Sequence, residues 1–167
     1  MESESQRPGG RNSLWGLGGC RRLRVLGTRS KGMSNHRYTV EFRIYGEKLD
    51  PESITRELGL QPCRVVKEAI LRPHGRIEPM WGYNGVGDQE TDWDSLEEGL
   101  DFVLTRLWPH RTTIASYTQV ATFIWWCGHF QSSLDGGPTL SAGLLSRLGE
   151  FGVELFIDNY FEPPDEA

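Results

Sequence analysis

The sequence predicts an α+β protein: a two-layer sandwich whose mixed, mostly antiparallel sheet of four to five strands carries three helices on one face. Three observations predict it. Residues 37–45 and 153–160 alternate apolar and polar side chains with period two, as half-buried strands do. Three segments between or beside them carry a capping residue followed by an apolar helical stripe. An apolar run from Gln119 to Phe130, rich in aromatic and β-branched residues, suits a central strand. With 167 residues, 37% of them hydrophobic and 25% charged, the chain is long enough for one such domain and too short for two of ordinary size.

In chain order, Tyr38, Val40, Phe42 and Ile44 form the apolar face of the first strand, and Gly46 ends it. Asp50-Pro51-Glu52 starts a helix of about two turns, since the Asp side chain accepts from the first free amides and Pro suits the first helical position. Ile54 and Leu58 share its inner face, and Gly59 stops it. Val65-Val66 and Met80–Tyr83 read as short strands, with a turn-like stretch from Leu71 to Pro79 between them and a turn at Asn84-Gly85. Ser95 with Glu98 matches a capping box, followed by Leu96, Leu100, Val103, Leu104 and Leu107 on one face and Pro109 as the stop. Ser141 caps a third helix with Leu144, Leu145 and Leu148, terminated by Gly149 and Gly152. Residues 162–167 read as a frayed acidic tail.

Charge divides the chain. Residues 1–36 hold seven basic residues and two acidic ones, a balance of +5; the whole chain is −5, so residues 37–167 carry −10. The first segment is rich in Gly, Arg and Ser, has too few apolar residues to offset its ordering entropy, and reads as disordered. A transit peptide is disfavoured by Glu2 and Glu4, and a nucleic-acid arm by the lack of a compact basic run. The run from Met33 leads straight into the first strand, which favours a natural start there and residues 1–32 as a prefix of no function. No run of 18 apolar residues is present, and Cys20, Cys63 and Cys127 are too few for a disulfide framework, so a cytoplasmic, membrane-free protein is expected.

Phe42-Arg43-Ile44-Tyr45-Gly46, followed by Leu49-Asp50-Pro51-Glu52-Ser53-Ile54-Thr55-Arg56-Glu57-Leu58-Gly59-Leu60-Gln61-Pro62, resembles the opening of the bacterial DUF4279 family: a strand ending in Gly, then a helix of the form dPeeiTrlLGl-x-P. Trp81, the helices from Ser95 and Ser141, and the ending Ile157-Asp158-x-Tyr160 fit the same layout, so the likeness spans about residues 37–161. It implies a single α/β domain of bacterial type and a start near Met33, and it brings no catalytic or binding residues with it.

Candidate chemistry is sparse. Asp88, Glu90, Asp92 and Asp94 invite a calcium loop, but counting from Asp88 puts Trp93 and Gly99 where an EF-hand needs Gly and Glu. Loop acids that favour a helix start explain them better, and neither a metal nor any other cofactor is expected. Cys127 and His129 share a strand face among Trp125, Trp126 and Phe130, which suits a buried thiol better than a nucleophile. His74 and His110 stand beside prolines without a catalytic spacing. Trp81 and Trp93 flank the polar segment 82–92; they either line a groove or pin that connection to the core.

The first functional expectation is therefore a non-catalytic interaction module whose acidic surface takes a basic protein partner, as a toxin-neutralising immunity protein does, through Trp81, Asp88, Glu90, Asp92 and Trp93. The alternative is an enzyme or small-molecule binder using the open sheet face around Glu41, Arg43, His129, Asp158 and Tyr160. RNA binding on that face is disfavoured by the acidic balance.

Overall fold

The computed structural model describes residues 36–73, 75–89 and 91–161. The basic tail before His36, His74, Glu90 and the acidic end from 162 lie outside the described residues. Period-two patterning places Tyr38, Val40, Phe42 and Ile44 on one face of β1 (His36–Tyr45), and all four are buried. The strand begins at His36, which the charge boundary had assigned to the tail; His36 pairs with Gln131.

β1 is the middle strand of the main sheet. Its order is β2 (Arg64–Val66), β5 (Met80–Tyr83), β1, β6 (Thr122–Gln131), β7 (Glu154–Phe161). All neighbours are antiparallel except β6 and β7, which run parallel and are joined through α4 (Ala142–Phe151). A small hairpin of β3 (Ile70–Arg72) and β4 (Gly75–Ile77) stands apart, where the sequence suggested only a turn. Its strands have three residues each, too few for a period to register.

The helical layer is α1 (Pro51–Leu58), α2 (Leu96–Leu107), a short α3 (Arg111–Ser116) and α4. The three longer helices are the ones foreseen, and their caps act as the sequence implies. The side chains of Asp50, Ser95 and Ser141 accept from the amides of Glu52, Glu98 and Leu144. Pro109 does end α2, but the chain continues through a tight turn into α3, which has no side-chain cap to signal it. Gly149 lies inside α4; the stop is Gly152, at a left-handed φ of 74°. Leu100, Val103, Leu104 and Leu107 of α2, Ile54 of α1 and Leu144 of α4 pack on Phe42, Ile44, Trp81 and Trp125 in one core. Among the described residues no helix is long and apolar enough to cross a membrane.

Candidate functional site

The segment between β5 and α2 is shaped by its own polar groups. Asn84 Oδ1 accepts from the Val86 amide at 3.0 Å, and Asn84 Nδ2 donates to the Gln89 carbonyl at 2.7 Å. This curls residues 85–88 over Gln61, Pro62 and Tyr83, around an open hollow of about 490 Å³ with exposed Asp88 at its rim. Trp93 then returns to the sheet. Its amide and carbonyl both bond Tyr38 at 2.8 Å, extending the β5 side of β1.

From that anchor the half-buried Trp93 ring reaches α2 and lies 4.9 Å from Phe102. Gly99 makes room: a Cβ there would stand 2.9 Å from both the indole and the Val40 side chain. Glu98, Asp101, Phe102 and Thr105 follow helical spacing on one face of α2, and with Trp93 and Arg106 they line a second hollow of about 400 Å³. Asp92 pairs with Arg37 at 2.8 Å, and Asp101 pairs with Arg147. Sequence reasoning named Trp93 and the acids before it but not this helical half, which lies beside Trp93. The signal was present, since the outer face of α2 is as periodic as the inner one.

Trp81 must be removed from the expected interface. It is 0% exposed, sits opposite Ile44 on the helix side of the sheet, and stacks on Tyr83 at 5.6 Å. Its indole nitrogen donates to Thr55 Oγ1 at 3.0 Å, so its one polar group is satisfied inside the fold. Trp81 is a core residue, whereas Trp93 both pins the connection to the core and borders the hollow on α2.

The open-face set also divides. Glu41, Arg43, Asp158 and Tyr160 share the face away from the helices, but His129 does not. The same period that puts Trp125 and Cys127 in the core carries His129 there too, opposite Tyr38 and 3% exposed. It bonds Asn159 at 2.9 Å and His36 at 2.9 Å, and His36 reaches the Asp135 carbonyl at 2.7 Å. This chain of contacts runs from Asn159 Oδ1, which accepts from His129 Nδ1, through the two rings to the Asp135 carbonyl. It ties β1, β6 and β7 to the loop after β6 and leaves His129 no route to the open face.

That face is not bare. Arg43, 2% exposed, donates through Nε to Glu41 at 2.7 Å and lays its guanidinium 3.9 Å from the Trp126 ring centre. Arg64 approaches Glu41 at 3.7 Å. Toward β7, Tyr160 donates to Asp158 at 2.5 Å and stacks on Phe130 at 4.8 Å. Burial first, then the Asp158 carboxylate, pushes the Tyr160 phenol up to about 12. A raised phenol favours folding below the unfolded value of about 10 and loses that contribution as pH climbs from there toward 12. An alkaline absorbance titration of Tyr160→Phe is therefore expected to lack one late-ionising phenol and to show a smaller stability loss across that window than the parent chain. Burial and the bond to Glu57 push the Tyr117 phenol up to about 12 as well, so the readout is a count, and an unchanged number of late-ionising phenols in the variant would disprove the assignment.

Burial drives the thiols of Cys63 and Cys127 far above the ordinary range, so neither supplies a thiolate near neutral pH. Among the described residues, no three His, Cys, Asp or Glu side chains gather as a metal site. A family model described as a domain of unknown function, DUF4279, matches residues 36–162. No curated protein and no solved structure matches the chain.

Proposed function

The chain belongs to the DUF4279 family, and we propose that it is a non-catalytic binding module whose docking face is the Trp93–α2 surface, with a basic protein as partner. The observation that carries this reading is the half-buried Trp93–Phe102 pair in a hollow lined by Glu98 and Asp101, with Asp101 paired to Arg147 and Arg106 laid over the Phe102 ring. Tryptophan with an acidic rim offers an apolar anchor and carboxylates for Lys or Arg. The stretch 88–101 holds seven acidic residues and no basic one, which favours long-range attraction of a cationic surface. An immunity-type role against a basic toxin is the finer form of the same proposal.

The test is capture of a partner at low salt by residues 33–167, followed by rate measurements with variants. Reversing Asp88, Asp92 and Glu98 to Lys is expected to slow association by about 10-fold or more at low salt, with the gap closing as salt is raised. Trp93→Ala is expected to speed dissociation. If both variants bind as the parent does, this face is not the docking surface.

A further inference from the structure

The two edges of the main sheet are unlike. β2 has three residues, follows Pro62, contains Arg64 and is followed by Lys67, so it is short and charged. β7 runs for eight residues, Glu154–Phe161, without Pro, Gly, Lys or Arg. Among the described residues no strand lies on its outer side. Phe156 and Phe161 are 39% and 56% exposed. Long apolar edges are commonly blunted, because their unpaired amides and carbonyls template another strand. The β2 edge is short and basic, whereas the β7 edge is long and its charged residues are the acids Glu154 and Asp158.

We propose that β7 accepts an extended segment of a partner protein as a sixth strand, and that this segment carries Lys or Arg at two positions four apart with an apolar residue midway. The pattern follows from the pleat. Glu154, Phe156, Asp158 and Tyr160 point to one face, so an added strand in either direction sets its alternate side chains opposite them. Cations opposite Glu154 and Asp158 neutralise the two carboxylates, and the apolar residue covers Phe156. Charge argues against a second copy in the same place. β7 has acids and no base, and antiparallel self-pairing about Ile157 would set Glu154 diagonal to the other copy's Asp158. The edge lies on β7, apart from the Trp93–α2 surface, and the inference stands without that reading.

The probe is the peptide Thr-Lys-Thr-Leu-Thr-Lys-Thr with a fluorescent label, titrated with the full chain at low salt. Binding is expected, with an affinity drop of about tenfold or more for Glu154→Lys with Asp158→Lys. The same peptide with Glu for both Lys should regain that loss on the reversed chain. N-methylation of alternate peptide amides should abolish binding on one set and spare it on the other, because only one set faces the β7 edge. Glu154→Gln with Asp158→Asn supplies a milder variant should the reversed one fold poorly. A chain reversed at Asp88 and Glu98 should bind the peptide unchanged. No binding, equal loss for both methylated sets, or a dimer in sedimentation that closes the edge to the peptide would each overturn the proposal.

Discussion

Trp81→Ala is expected to remove about 3–5 kcal/mol of stability, the range for deleting a large buried aromatic side chain. Domains of this kind have about 5–15 kcal/mol in total, so the variant should be partly unfolded at room temperature or melt far earlier. Trp81 stacks on Tyr83, faces Ile44 and bonds Thr55, so its loss opens a void between the sheet and α1. Trp81→Phe keeps most of the apolar area and should cost less, chiefly the bond to Thr55 and the unfilled volume. Trp93→Ala is the instructive contrast: half-buried at the surface, it should cost less stability than Trp81→Ala while affecting partner binding more. Urea denaturation reads all three. Equal losses for the two alanine variants would contradict the division of these tryptophans into core and surface.

Arg43→Met is expected to cost about 3 kcal/mol despite conserving much of the side-chain volume. The guanidinium is buried, bonded to Glu41 and laid on Trp126. Removing it leaves Glu41, 14% exposed, to the more distant Arg64. The cost is therefore mainly that of a partly buried carboxylate deprived of its close partner. Arg43→Met combined with Glu41→Gln should be less destabilised than the two single losses added together, with a coupling of about 1–3 kcal/mol. Strict additivity in urea midpoints would show that the pair is not coupled. The same measurement bears on the open face, whose middle is filled by this internal pair and stack.

How far each element could be read depended on whether its cause is local. β1 and the caps of α1, α2 and α4 are legible because alternation, capping oxygens and Gly59 act within a few residues. The αβ layering followed from them. The parallel pairing of β6 with β7 was not legible from the helix between them alone, since nothing in either strand states that the two are neighbours. α3 and the β3–β4 hairpin are too short to show a period. For the candidate surface, Trp93 with its acids was legible as composition, but its pairing with Phe102 needed the bridge to Tyr38. The placement of His129 on the open face is a different failure. The alternation already seen in Trp125 and Cys127 assigns it to the core, and only the register with Tyr38 makes that plain.

The central position of β1 has a consequence for how the chain is made. The strand synthesised first in the domain must be flanked by β6, which is synthesised much later: His36 meets Gln131, and Tyr45 meets Thr122. A nascent chain that ends before Thr122 therefore has α1, α2 and a half-sheet with the apolar face of β1 incompletely covered. Such long-range pairing lowers folding speed, because loop closure comes before any reward in contacts. On the ribosome the first strand thus waits, sticky and unpartnered along one side, for most of the domain to follow it.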